Sequence, residues 1–164
     1  MIVLVLGGTR SGKSKVAERI ASEFGRPVTY IATARCDADD AEFRARIDAH
    51  RRDRAAEWET IEAPLDLAGA LASVTGTALI DSLGTWLANW PEFAADVDAL
   101  RAALTSFAGD VVIVSEEVGL SLVPVAAVGR RFVDALGDCN HEVARIADRV
   151  VLVVAGRTLE LGRD

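Results

Sequence analysis

The stretch Gly7-Gly8-Thr9-Arg10-Ser11-Gly12-Lys13-Ser14 follows a short apolar run, residues 2–6, and precedes a segment with helical periodicity. Its spacing, one glycine, four residues and then Gly-Lys-Ser, is that of a Walker A phosphate-binding loop. Glycines allow consecutive backbone N–H groups to turn towards phosphate oxygens, and the positive end of the following helix attracts the same anion. Because the motif lies between a predicted strand and a predicted helix, we predict a nucleoside triphosphate site rather than a glycine-rich turn.

The rest of the chain alternates between strand and helix patterns, which is typical of an α/β fold with a largely parallel sheet. Strands are predicted at residues 2–6, 28–34, 78–81 and 111–115, and a terminal hairpin at 150–154 and 158–161. Helices are predicted at residues 14–24, 84–90, 92–107 and 124–147, the last with an interruption near Gly137 as an alternative. The 164 residues have the size of one domain, so we expect a single domain over residues 1–164.

Composition narrows the classes of partner and the compartment. The net charge of −7 argues against a general nucleic-acid surface. No apolar run reaches the ~20 residues that a membrane-spanning helix needs, and residues 1–6 are too short for a signal peptide. Cys36 and Cys139 lie far apart, without metal-site or disulfide spacing. We expect a cytoplasmic protein with reduced cysteines, no membrane span and no nucleic-acid partner.

A P-loop also requires an acid near its metal ion, usually at the end of another apolar strand. Asp81, directly after Ala78-Leu79-Ile80, is the best placed to hold Mg²⁺ together with the Ser14 hydroxyl. The alternative for Asp81 is a cap of the helix that follows, and Glu116 and Glu117 are competing acids. The short DxxG pattern at residues 81–84 resembles a GTPase switch, but a guanine-reading Asn-Lys-x-Asp motif is excluded because no lysine follows position 15.

His50 lies in an arginine-rich segment, seven residues after Phe43 and three after Ile47. Helical spacing would place these three residues on one side of the segment, so His50 has apolar neighbours. One interpretation is a half-buried packing histidine. The other is a nucleophile that attacks phosphorus, with neighbouring guanidinium groups neutralising the phosphates. The spacing alone leaves both open, and His141 is expected to be structural.

Several blocks together extend this picture well beyond the P-loop. They are GGTRSGKS (7–14), VTYIATA (28–34), RIDAHRRDRAAEWETIEAP (46–64), LIDSLGTWLAN (79–89), VSEEVGLSLVP (114–124) and GRRFVD (129–134). In this order they resemble the bifunctional adenosylcobinamide kinase / adenosylcobinamide-phosphate guanylyltransferase family, from residue 2 to about residue 161. The RI-x-x-H-x-x-x-R-x-x-x-W and EVG-x-x-x-VP blocks are the most specific parts of the resemblance.

The resemblance implies a RecA-like P-loop fold, a homotrimer and two reactions in coenzyme B12 biosynthesis. In the first, ATP or GTP phosphorylates adenosylcobinamide. In the second, GTP guanylylates a histidine, which matches His50, and the GMP passes to adenosylcobinamide phosphate, giving adenosyl-GDP-cobinamide. The nucleotide contacts that the resemblance implies, the P-loop included, are Gly7, Gly8, Thr9, Arg10, Ser11, Gly12, Lys13, Ser14, Ala32, Thr33, Ala34, Arg51, Arg52, Asp53, Arg54, Glu62 and Asp81.

One position departs from the family pattern. Related sequences often have asparagine before the glutamate of the VSNEVG block, where this chain has Glu116. The extra negative charge would either weaken triphosphate binding or supply another metal ligand. The rival functions are a small-molecule P-loop kinase without transferase activity and a non-catalytic subunit regulated by nucleotide binding.

Overall fold

Residues 1–35 and 57–162 are described by the computed structural model, and their strands form one mostly parallel sheet. The strands are β1 (Ile2–Gly7), β2 (Val28–Ala32), β3 (Glu59–Glu62), β4 (Thr77–Asp81), β5 (Asp110–Glu116), β6 (Arg149–Val154) and β7 (Arg157–Leu161). Their order across the sheet is β3-β2-β4-β5-β1-β6-β7. Every neighbouring pair is parallel except β6 and β7, which form an antiparallel hairpin.

Helices cover both faces of this sheet. They are α1 (Lys13–Glu23), α2 (Leu67–Ala72), α3 (Leu83–Ala88), α4 (Val97–Ser106) and α5 (Ala127–Ile146), with a 3₁₀ turn at Pro91–Phe93. Side chains alternate between the two faces along β1, as the period of a strand requires. Val3 and Val5 pack in the core beneath α1, whereas Leu4 and Leu6 pack in the larger core on the opposite face.

The predicted fold, a mostly parallel sheet flanked by helices with a C-terminal β-hairpin, is confirmed. Residues 59–62 and 67–72 were not predicted as elements: β3 is short and mostly exposed, and α2 has only six residues. The predicted helix over 92–107 is wrong at its start, since α4 begins at Val97 after the N-cap Asp96. The helix predicted from 124 begins at Ala127 and continues through Gly137 without interruption.

The parallel strands bring distant parts of the chain to one edge of the sheet. β1 lies between β5 and β6, and β4 lies between β2 and β5, so the carboxyl ends of these strands meet on the same side. In open α/β sheets this edge is where ligands bind. Of the helices in residues 1–35 and 57–162, none is long and apolar enough to span a bilayer. The arginine-rich segment around His50 lies outside the described residues.

Candidate nucleotide-binding site

The phosphate-binding loop joins the end of β1 to the start of α1. Arg10 and Gly12 both have left-handed backbone conformations, with φ of 57° and 92°. The Ser11 N–H donates to the Gly8 carbonyl at 3.2 Å, and this bond closes the turn. Residues 8–10 are exposed, whereas Ser11 is buried. The loop therefore presents its middle residues to solvent and anchors itself through Ser11.

The turn of the C-terminal hairpin supports this loop from behind. The Gly156 N–H donates to the Ser11 carbonyl at 2.7 Å. A Cβ added at Gly7 would lie 2.5 Å from Ser11 Oγ and 2.7 Å from the Val153 carbonyl oxygen. One added at Gly12 would lie 3.4 Å from the Gly156 Cα. The glycine at position 7 is thus required by close packing against β6, and the loop's shape depends on a hairpin whose Gly156 lies 145 positions after Ser11.

Lys13 is held at the mouth of the loop by two contacts. Its Nζ lies 3.4 Å from the Gly8 carbonyl oxygen and 3.5 Å from Oε1 of Glu116 at the end of β5. The Lys13 side chain is 12% exposed and that of Glu116 is 28% exposed. Of the acids that competed for a place beside the P-loop, Glu116 is therefore the one that contacts its lysine.

A hydrogen-bond network fixes the end of β4 against the end of β2. Thr33 Oγ1 accepts from the Ser82 N–H at 2.8 Å and donates to the Ser82 carbonyl at 2.8 Å. The Tyr30 hydroxyl donates to Oδ2 of Asp81 at 2.9 Å. The amide of Asn89, the residue that follows α3, donates to the Thr33 carbonyl at 2.8 Å. This network sets the position of the Asp81 carboxylate.

The helix that follows β4 is capped by Ser82 and not by Asp81. Ser82 Oγ accepts from the Thr85 N–H at 3.3 Å and also donates to Oε2 of Glu116 at 3.1 Å. The interpretation of Asp81 as a helix cap is therefore wrong, because the residue after it takes that role. The Asp81 carboxylate remains half-buried at the carboxyl edge of the sheet.

The structure brings the described candidate residues to this one edge. Residues 7–14, 32–34, 62 and 81 all lie at or just after the carboxyl ends of parallel strands. The candidates outside the described residues are His50, Arg51, Arg52, Asp53 and Arg54. Whether each candidate contacts nucleotide stays a prediction.

Ser14 and Asp81 suit a phosphate-bound Mg²⁺. This ion usually keeps several waters and takes one or two carboxylates together with the phosphates. Among residues 1–35 and 57–162 no group of three or more His, Cys, Asp or Glu side chains could hold a metal on its own. A hydroxyl at the first turn of α1 and a carboxylate at the end of β4 fit an ion that is held mainly by its nucleotide.

Four residues of this network were not singled out from the sequence: Tyr30, Ser82, Gly84 and Asn89. The available signal was the DxxG pattern at residues 81–84. A Cβ added at Gly84 would lie 2.1 Å from Oε2 of Glu116, so this glycine leaves room for the Glu116 carboxylate. The pattern therefore has a packing reason here, unrelated to a GTPase switch.

The sheet order, the loop between β1 and α1 and the placement of Lys13 define a P-loop nucleotide-binding protein. A family model described as cobinamide kinase / cobinamide phosphate guanyltransferase matches residues 3–161. The chain belongs to that family, and it is an enzyme of the cobinamide kinase and cobinamide phosphate guanylyltransferase type.

Curated relatives agree with this assignment over nearly their whole length. A bifunctional adenosylcobalamin biosynthesis protein CobP of Pseudomonas aeruginosa is 41% identical and covers 96% of this chain and 95% of its own. The Escherichia coli protein of the same description, CobU, is 35% identical over 95% of this chain and 97% of its own. Among solved structures, the RadB recombinase superposes with a TM-score of 0.45 at 15% identity, covering 92% of this chain and 73% of that one.

Proposed function

We propose that this chain phosphorylates adenosylcobinamide and then transfers GMP from GTP to adenosylcobinamide phosphate through a guanylyl-His50 intermediate. The product is adenosyl-GDP-cobinamide in coenzyme B12 biosynthesis, and both reactions belong to one domain over residues 1–164. The observation that carries the proposal is the phosphate-binding loop beside Lys13, in a chain that matches the family from residue 3 to residue 161.

The transferase step is a displacement at the α-phosphorus of GTP. A neutral imidazole nitrogen of His50 attacks that phosphorus, the bond from it to the bridging oxygen of the β-phosphate breaks, and pyrophosphate leaves. A phosphate oxygen of adenosylcobinamide phosphate then attacks the same phosphorus, and the bond to the histidine nitrogen breaks. GMP is thereby transferred and His50 is returned to its starting form.

The P-loop residues stabilise the charge that this displacement creates. Negative charge builds on the pyrophosphate as it departs, and the Lys13 ammonium and the loop N–H groups are placed for the β- and γ-phosphates. Ser14 and Asp81 would hold Mg²⁺ beside the phosphates, and the ion would supply further positive charge there. Arg51, Arg52 and Arg54 are proposed to neutralise the phosphate beside His50.

The kinase step uses the same cradle with a different acceptor. The aminopropanol hydroxyl of adenosylcobinamide attacks the γ-phosphorus of ATP or GTP, and the nucleoside diphosphate leaves. Glu62 and residues Ala32, Thr33 and Ala34 lie at the carboxyl edge of the sheet, which supports their proposed contacts with the rest of the nucleotide.

Covalent labelling tests the transferase proposal directly. The protein is incubated with Mg²⁺ and GTP labelled at the α-phosphate, and acid-labile, alkali-stable label on the protein is measured. His141→Ala is the matched control, since His141 is the other histidine and lies exposed on α5. Wild type and His141→Ala should be labelled, and His50→Ala should not; label that persists in His50→Ala would exclude His50 as the nucleophile.

Protein labelling together with analysis of the corrinoid product separates the rival functions. A kinase without transferase activity would move the γ-phosphate to the corrinoid without labelling the protein with GMP. A regulatory subunit would bind the nucleotide tightly and leave both the corrinoid and the protein unmodified. Mass analysis of the corrinoid after incubation with GTP distinguishes these two from each other.

We further propose that the chain acts in the cytoplasm as a homotrimer. Exposed aliphatic side chains in the segment between β5 and α5 support an interface between copies of the chain, among them Leu120, Leu122, Val123 and Val125. Light scattering of the purified protein tests this. A mass near three times 17.4 kDa is expected, and a monomer at micromolar concentration would overturn the trimer.

A further inference from the structure

Glu116 joins the phosphate-binding loop to the start of α3. One carboxylate oxygen lies 3.5 Å from Lys13 Nζ, and the other accepts a hydrogen bond from Ser82 Oγ at 3.1 Å. The backbone of the same residue is also fixed: its carbonyl accepts from the Asn140 amide at 3.1 Å, and it is paired with Gly7 in the sheet. The carboxylate therefore has a defined position next to the ammonium that the phosphates need.

Gly84 shows that this position is built into the packing. A side chain at residue 84 would place its first carbon 2.1 Å from Oε2 of Glu116. Gly84 does not have a positive φ, so its backbone conformation does not demand glycine. The space beside it is filled by the Glu116 carboxylate, which is what the glycine accommodates.

We propose that Glu116 is a positioning residue that competes with phosphate for Lys13 and makes triphosphate binding depend on a divalent cation. Phosphate oxygens and the Glu116 carboxylate compete for the same ammonium. A triphosphate without its cation also brings several negative charges close to that carboxylate, which lowers its affinity. With Mg²⁺ bound among the phosphates, the net negative charge facing Glu116 is smaller, so the loss of triphosphate affinity is smaller as well.

The inference rests on triphosphate binding at the loop, which the proposed function shares, and it does not depend on the guanylyl-His50 step. Direct measurements of GTP binding test the role of Glu116 without relying on the labelling of His50. If His50 labelling fails but the cation dependence changes as described below, only the proposed function is overturned.

The test is the equilibrium affinity for GTP, measured by calorimetry without corrinoid. Each protein is measured once in EDTA and once in excess Mg²⁺. The quantity compared is the ratio of the GTP affinity in Mg²⁺ to the GTP affinity in EDTA, for wild type and for Glu116→Gln. This substitution keeps the shape of the side chain and removes its charge. Glu116→Gln should raise the affinity in EDTA about tenfold, the effect expected when a negative charge a few ångströms from the ligand is removed. The affinity in Mg²⁺ should change less, so the ratio should fall.

A second pair of variants tests the geometry. Gly84→Ala should displace the Glu116 carboxylate and lower the ratio in the same direction, but should have no further effect in a Glu116→Ala background. Asp134→Asn, which removes an exposed carboxylate from α5, is the charge control and should leave the ratio unchanged. Thermal unfolding verifies that each variant is folded. An unchanged ratio in both Glu116→Gln and Glu116→Ala, or an equal loss of affinity in EDTA and Mg²⁺, would overturn the proposal.

Discussion

The hydroxyl of Tyr30, near the end of β2, donates a 2.9 Å hydrogen bond to Oδ2 of Asp81 at the end of the neighbouring strand β4. Tyr30 is 3% exposed, so this donor approaches Asp81 from inside the protein. The carboxylate that we propose for the metal is therefore oriented by a buried neighbour.

Tyr30→Phe should weaken Mg²⁺ binding at the nucleotide site without unfolding the protein. Partners that orient a metal-binding carboxylate typically change metal affinity by 10-fold or more when removed. We expect the Mg²⁺ concentration that half-saturates GTP binding to rise about tenfold, measured by titrating Mg²⁺ at fixed GTP. Near-ultraviolet circular dichroism serves as the folding control. An unchanged half-saturating concentration would show that Tyr30 does not act through the metal.

Gly7→Ala should damage the phosphate-binding loop more than its small size suggests. The added carbon would lie 2.7 Å from the Val153 carbonyl, a backbone atom of β6 that cannot move aside cheaply. We expect loss of roughly 2 kcal/mol of stability, within the range for overpacked interiors, and at least tenfold weaker GTP binding. Chemical denaturation and calorimetry measure the two effects. Wild-type affinity in a folded Gly7→Ala protein would contradict the packing argument.

Gly137→Ala should have the opposite effect on stability. Gly137 lies exposed within α5, and a Cβ there would meet nothing within 4 Å. Alanine in a helix interior is favoured over glycine by about 0.5–1 kcal/mol, so the midpoint of urea unfolding should rise. Gly129→Ala in the same helix is the comparison, since its Cβ would lie 2.8 Å from Pro124 Cβ. A lower midpoint for Gly137→Ala would mean that the helix needs flexibility at this residue.

Cys139 should make stability fall at alkaline pH. The free thiol lies on the buried side of α5, and burial raises its pKa from 9.0 to about 12. The folded protein therefore keeps its proton where the unfolded chain loses it, so the stabilisation is complete below about pH 9 and is lost as the pH rises towards 12.

The measurement compares unfolding free energies of wild type and Cys139→Ala at pH 8 and pH 10.5. Cys139→Ala should be less stable than wild type at pH 8 because it leaves a cavity. Between the two pH values wild type should lose about 2 kcal/mol more than Cys139→Ala, since each pH unit above the unfolded pKa costs about 1.4 kcal/mol. Parallel pH profiles of the unfolding free energy for wild type and Cys139→Ala would show that the thiol ionises as readily in the folded protein as in the unfolded chain.

Much of the fold could be predicted because its signals are local. The buried strands are apolar runs, so β1, β4 and β5 and the terminal hairpin were placed correctly from periodicity. β3 was missed because Glu59–Glu62 has little apolar material and becomes a strand only by pairing with β2. The start of α4 was misplaced because the run of helix-compatible residues after Pro91 conceals a break ahead of Asp96.

The sequence by itself determined the phosphate-binding loop, since the spacing of Gly7, Gly12, Lys13 and Ser14 specifies a local backbone shape and a local charge. It also supplied a set of candidate acids with Asp81 the best placed for Mg²⁺, but it did not show which side chains each acid contacts. Only the tertiary structure decided that Glu116 contacts Lys13, that Tyr30 orients Asp81 and that Gly84 leaves room for Glu116. The reason is physical: these contacts join residues 32 to 103 positions apart, which become neighbours only when β1, β2, β4 and β5 pair in the sheet.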